Sequence, residues 1–293
     1  MNFKQHESQA TVIKEESVMK RNWRLFWVLA LLLLWLFCSG TAQADTLSER
    51  LAQFPEWHGK PMTQVAKGDL EYPEWFAGDW TVTTTLIDMA APLAPDLVTP
   101  GFEGNRKFLN QPITFQVRFV DTEPTLIQSF LQPIFNDRPK PVIADRAYNG
   151  LNLAKAYLGD RGVLAVKVDP TNPNRQITLF RDNRELVSTI TTRITEAPNA
   201  EQFFTSEVFQ QEFLGAPEIY FNEVENTTAY TRQSNTADKN SPLIVADQVT
   251  AIFLSPQDPD YFKAIDRDSL FGDPRPVALY RYRMEFSKTP DQG

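Results

Sequence analysis

Alternation with a period of two is the feature that most constrains this chain. From Asp79 onward, Trp80, Val82, Thr84 and Leu86 fall on one side, with Thr81, Thr83 and Thr85 on the other. Side chains of an extended segment point alternately to its two faces, and the branched carbon of threonine suits a pleated surface, so this stretch predicts a half-buried strand. Ile113, Phe115, Val117 and Phe119 alternate in the same way with Thr114, Gln116 and Arg118. Further strands are expected over 163–168, 177–181, 186–194, 220–231, 249–254 and 277–286. Residues 203–213 also read as strand, although Phe203, Thr205 and Glu207 against Phe204, Ser206 and Val208 give no clean face. Asp182-Asn183 marks a turn between two of these segments. In the last, Tyr280, Tyr282, Met284 and Phe286 share one face, and Arg281 and Arg283 the other.

A series of about eight strands, mostly joined by short connections after Val163, implies antiparallel pairing; rolling the sheet shut removes its aggregation-prone edges. The expected fold is therefore all-β with one short helix: an antiparallel, up-and-down β-barrel over 76–287. The helix is expected over Ala144–Leu158, with Ala147, Leu151, Ala154 and Leu158 on one side and Asn149-Gly150 interrupting it. Residues 45–75 read as an N-terminal arm whose tryptophans, Trp57 and Trp75, pack onto the barrel, and residues 288–293 as a disordered tail. The connection over 91–112 is far longer than a hairpin turn, and loops of that length are usually functional or disordered. Its Leu93, Leu97, Phe102 and Phe108 argue for docking, either as a flap over the barrel mouth or as a plug completing the core.

The first forty-four residues read as an address label. Lys20, Arg21 and Arg24 precede a leucine-rich uncharged stretch over 25–37, and Ala42-Gln-Ala44 supplies the small residues at which a signal peptidase cuts. A cleaved export signal is expected, with Met19 as an alternative start; a retained anchor is the competing reading. Phe37 before Cys38 is too bulky for lipidation at that cysteine.

Removing the five basic and three acidic residues of 1–44 leaves 24 basic against 34 acidic side chains, a formal charge of −10. Such a chain has no electrostatic footprint for nucleic acid. Cys38 and His6 go with the signal, so residues 45–293 hold no thiol and one imidazole, His58. Disulfide frameworks, Cys-based zinc sites and His-rich metal centres are thereby excluded, and a Ser-His-Asp triad has only His58 to draw on. No glycine-rich nucleotide loop or nucleophile elbow occurs. Asp258, Asp260, Asp266, Asp268 and Asp273 cluster between two strands, but without the ligand spacing of a calcium loop, and read as a solvated acidic turn. No cofactor and no metal site is expected.

Gly78-Asp-Trp80, opening the first long strand, resembles the G-x-W signature of lipocalins and related calycins. That resemblance implies a calycin barrel in which Gly78 and Trp80 close the base and a late basic residue, Arg281 or Arg283, stacks on the indole. Phe54-Pro-Glu-Trp-His-Gly59, Tyr72-Pro-Glu-Trp-Phe-Ala-Gly-Asp-Trp80, Pro100-Gly-Phe-Glu-Gly-Asn-Arg106 and Ala144-Asp-Arg-Ala-Tyr-Asn-Gly150 resemble an uncharacterised family of cyanobacterial proteins with chloroplast relatives. The resemblance implies a thylakoid-lumen or periplasmic setting and brings no activity with it. The expected function is non-enzymatic binding of a hydrophobic small molecule, a pigment, quinone or lipid, with Phe102, Glu103, Arg106, Tyr280 and Tyr282 as candidate contacts. Two alternatives stand beside it: an assembly or interaction factor for a photosynthetic membrane complex, and a carboxylate-based enzyme.

Overall fold

The alternation becomes strand along most of the chain in the computed structural model, which describes residues 46–121, 141–215, 220–233, 241–267 and 272–289. The export signal, Asp268 and residues 290–293 of the expected tail lie outside the described residues. Residues 45–293 form one compact unit. Twelve strands are described: β1 (Gln64–Val65), β2 (Glu71–Tyr72), β3 (Gly78–Ala90), β4 (Pro112–Asp121), β5 (Val142–Ala144), β6 (Val163–Asp169), β7 (Asn172–Phe180), β8 (Glu185–Asn199), β9 (Gln202–Leu214), β10 (Tyr220–Arg232), β11 (Ile244–Leu254) and β12 (Ala278–Lys288). They make one sheet in the order β2-β5-β4-β3-β12-β11-β10-β9-β8-β7-β6, with β1 alongside β8. From β6 to β12 each strand pairs antiparallel with the next, and β12 returns to β3, so the body is an up-and-down meander.

The full closure expected from edge burial is not reached. Among the described residues no ladder joins β6 to β4, β5 or β2, and the sheet is a curled half-barrel. A helix fills the seam instead. α1 (Leu47–Ala52) and α2 (Phe102–Asn105) are short, whereas α3 (Arg146–Leu158) runs between β4 on one side and β6 and β7 on the other. Two residues that weaken it as a helix fit it to this place. The Asn149 side chain accepts from the Arg118 amide at 2.6 Å and donates to the Arg118 carbonyl at 3.0 Å, a carbonyl that also accepts from the Asp145 amide at 3.0 Å, so the helix is tied to the β4 backbone just past the end of the β5 ladder. At Gly150 a Cβ would stand 2.9 Å from Gln176 Nε2 and 3.1 Å from a Val166 methyl, so a side chain there has to push these neighbours aside, and glycine lets the helix lie this close to β6 and β7. Along the expected stripe Ala147, Leu151 and Ala154 are half-buried and Leu158 is exposed; no residue of α3 is fully buried.

Strand register separates an inner from an outer face. Trp80, Val82, Val117, Phe119, Phe203, Ala246 and Phe286 pack together inside, with Phe76 at the base. Outside, Val249, Ala251, Phe253 and Leu279 are covered by Leu51 and Trp57 of the N-terminal arm. The arm starts with a capping box between Thr46 and Glu49, which supplies partners for free amides of the first turn of α1. Its fixation rests on Arg50, which donates to Glu225 through Nε at 3.0 Å and Nη2 at 2.7 Å. The arm also accounts for the two-sided pattern at 203–213: α1 packs on β9 and β10, so Phe204 and Val208 are buried outside while Phe203 is buried inside. Farther along, β1 and β2 weave the arm into the sheet, and the intervening segment 66–70 crosses from β8 to β5 as a strap.

The long connection is a plug. Phe102 is buried against Leu86, Ala278 and Tyr280, and Leu93 and Leu97 pack on Leu254, Ala264 and Val277. Phe108 meets Tyr157 of α3 edge-on at 5.4 Å between ring centroids.

Candidate functional site: a mainly apolar cavity with charged side chains on its wall

At the opposite end from the plug, the Trp80 indole is 2% exposed and donates to the Phe76 carbonyl at 2.5 Å. The cation over its ring is Lys288, 3.8 Å from the centroid, and its ammonium also donates to the Ala77 carbonyl at 2.6 Å. Arg281 and Arg283 do not take that place. Both lie on the outer face, where Arg281 makes a two-point pair with Asp247 at 3.0 and 2.6 Å and Arg283 pairs with Glu285. β12 continues two residues beyond the stretch expected from alternation, and Lys288, assigned to a tail, is thereby brought over the indole.

Between the base and the plug lies a cavity of about 360 Å³. Val82, Phe115, Val117, Phe209, Met284 and Phe286 supply apolar wall; Gln176, Gln211, Asn226 and Gln248 supply polar wall; and α3 contributes Arg146, Asn149, Gly150 and Leu153. The volume is of the size that holds a small organic ligand. A second, more polar hollow of about 470 Å³ lies by the strap and shares Asp69, Leu70 and Arg193 with the first.

A charged group occupies one side of the interior. Arg193 faces inward because of a bulge: Ile190 pairs with Phe209 but Thr192 pairs with Val208, so Thr191 is an extra residue and the faces exchange beyond it. Uninterrupted alternation from Ser188 and Ile190 puts Arg193 outside. Beyond the bulge it opposes Glu207, with Nε 3.1 Å from Oε1. The angle between these two atoms is too poor for a hydrogen bond, and neither has another partner. The other arginine nitrogens are better served: Nη2 donates to Asn174 at 2.5 Å and Nη1 to the Gly68 carbonyl of the strap at 3.1 Å. Burial raises the Glu207 carboxyl above its ordinary value, against the opposing pull of Arg193 and Arg146. Burial also lowers Arg146, whose Nη1 donates to the Pro173 carbonyl at 2.8 Å. Tyr72 and Tyr230, likewise on the wall, are pushed up by burial and stay neutral phenols.

None of the five ligand contacts expected from the sequence lines this cavity. Phe102 is core of the plug. Glu103 and Arg106 pair with each other at 2.8 Å on the exposed side of α2. Tyr280 accepts from Asn105 at 3.0 Å, and Tyr282 packs among the plug residues. Composition pointed to loop and aromatic residues, but the plug packs Phe102, Tyr280 and Tyr282 and leaves Glu103 and Arg106 in solvent. Arg146 and Glu207 were within segments singled out from the sequence; the signal missed was an ionisable residue within an otherwise inward-facing row, Phe203-x-Thr205-x-Glu207-x-Phe209. Of the acidic cluster, Asp260 pairs with Lys263 at 2.7 Å and Asp258 accepts from the Asp260 amide at 2.8 Å. Among the described residues no group of three His, Cys, Asp or Glu is arranged to hold a metal ion. His58 is exposed, and its carbonyl accepts from Arg50 at 2.7 Å.

A family model described as a domain of unknown function (DUF6816) matches residues 64–290, from the start of β1 to just past β12. The chain belongs to the DUF6816 family. The DUF6816 match takes in every described strand, α3, the plug and the whole cavity lining, while Arg50 and Trp57 of the arm precede it. No curated protein and no solved structure matches the chain.

Proposed function

We propose that this protein is a non-enzymatic carrier whose interior cavity takes up a hydrophobic small molecule, a pigment, quinone or lipid, in the thylakoid lumen or periplasm of a photosynthetic bacterium. The observation that carries this reading is the cavity of about 360 Å³ on the inner side of the sheet, walled by the strands and α3. Its walls combine apolar side chains with a few convergent polar groups, the usual make-up of a small-molecule site. A calycin relationship is part of the same proposal. It is supported by Gly78-Asp-Trp80 opening β3, by the buried indole and by the cation of Lys288 over it. Mass spectrometry of organic extracts from protein purified from its source tests the reading: a defined compound in near-stoichiometric amount is expected. An extract without such a compound, together with no uptake of an environment-sensitive dye by the extracted protein, overturns it.

A second reading, an assembly factor for a photosynthetic membrane complex, draws on Met62 and Val65, which are 75% and 71% exposed beside the strap. Affinity isolation from solubilised membranes is expected to recover a defined complex under this reading, and a monomeric profile removes it.

A further inference from the structure

We propose that the ligand carries an anionic head group, a carboxylate or an acid of similar size, and that Arg146 is the side chain that binds it. The inference rests on the carrier reading and adds a chemical class to it. Of the two arginines on the cavity wall, Arg193 is largely committed: it holds Asn174 and the strap carbonyl of Gly68 and stands beside Glu207. Arg146 is not. It makes one hydrogen bond, through Nη1 to Pro173, and no carboxylate of the described residues stands within ion-pair reach. A guanidinium has five N–H donors in a planar fork that matches a carboxylate at two points. Here Nε and Nη2 are left without a described partner at a wall that otherwise takes up apolar groups.

The position follows from the fold. Arg146 is the first residue of α3, the helix standing where a ladder between β4 and β6 is missing, and is preceded by Asp145, whose side chain caps the helix by accepting from the Tyr148 amide at 3.1 Å. Asp145 is thus committed to the helix. One turn on, Asn149 and Gly150 line the same wall, followed by Leu153, which gives a ligand a polar end and an apolar end along one helix face. The groups that bias this corner are Glu207 from β9, Arg193 from β8, Asp69 from the strap and Tyr72 from β2. An entering carboxylate supplies the charge that Arg146 lacks, and its alkyl body lies against Phe115, Val117 and Phe286.

The test uses dodecanoate and 1-dodecanol as probes, the same chain with and without the charge, measured by isothermal titration with the full-length protein at neutral pH. A charge-assisted contact in a buried site predicts that dodecanoate binds on the order of tenfold or more tightly than the alcohol. Arg146→Met is expected to abolish that preference by weakening dodecanoate far more than the alcohol, and Arg146→Lys to restore part of it. Equal binding of the two probes by the unmodified protein overturns the anionic-head proposal and leaves the carrier reading standing. Binding of neither probe overturns both. A preference that survives in Arg146→Met, with the variant's circular dichroism unchanged, reassigns the anion to another group and overturns the role of Arg146.

Discussion

The sheet carries an arginine–glutamate pair on each of its two faces, and the two have opposite characters. Outside, Glu225 is fully buried and all its capacity is used: Arg50 meets it at two points, Trp57 Nε1 donates to it at 3.2 Å and Thr227 at 2.7 Å. Arg50 spends its remaining donors on the carbonyls of His58 and Gly59 at 2.7 and 2.8 Å and on Gln53 Oε1 at 3.5 Å, and lies 4.4 Å from the centre of the Trp57 ring. Inside, Arg193 Nε and Glu207 Oε1 stand at a similar distance but without a hydrogen bond, on the wall of a cavity. Desolvating a charge is costly, and only a saturated set of partners repays that cost. The outer pair is therefore a clamp that holds the arm to the sheet; the inner pair leaves polar capacity at a place where a ligand can use it.

The largest test of this contrast removes the outer carboxylate. Glu225→Ala leaves Arg50 buried without its partner and is expected to cost about 3–5 kcal/mol in denaturant unfolding. The corresponding loss for Glu207→Ala is expected to be well below it, and equal losses break the comparison. Next in size is the seam. Gly150→Val drives a side chain into Gln176 and Val166, with an expected cost of about 1–3 kcal/mol and reduced dye uptake, because the inner wall shifts while the clamp stays. Lys288→Met removes a cation that belongs to neither pair: loss of its contact with Trp80 is expected to cost about 1 kcal/mol and to change the indole fluorescence. The smallest effect is that of pH on Glu207→Gln. Because burial raises the Glu207 carboxyl above its ordinary 4.5, the native protein binds a proton more readily than the unfolded chain does. Stability from this group thus falls as pH rises from about 4.5 through the raised value. Urea titrations across that window are expected to show the variant gaining on the unmodified protein toward neutral pH and losing its advantage in acid.

Much of the architecture was legible in the residues because strand pairing needs one apolar face and the chain displays it. The rows starting at Trp80 and Ile113 became β3 and β4, and Tyr282, Met284 and Phe286 face inward as alternation required. Residues 203–213 read as strand, and are β9, but without a clean face for a physical reason: a strand covered on both sides has no polar face to mark its phase. The candidate site was hidden by a different effect. One extra residue at Thr191 exchanges the faces of β8, and a bulge of that kind leaves almost no trace in composition.

The sequence by itself determined the strand content, the burial of Trp80, the docking of the arm and the helix near 144–158, since each follows from local periodicity or from apolar side chains that must leave water. Tertiary structure alone decided that the sheet of the described residues stops short of closure, that α3 stands between β4 and β6 and that Lys288 lies over the indole. It also brought Arg146, Arg193 and Glu207, from three separate elements, to one cavity wall. These are outcomes of long-range register, in which a shift of one residue turns a side chain from solvent to interior, and no local pattern encodes that sum.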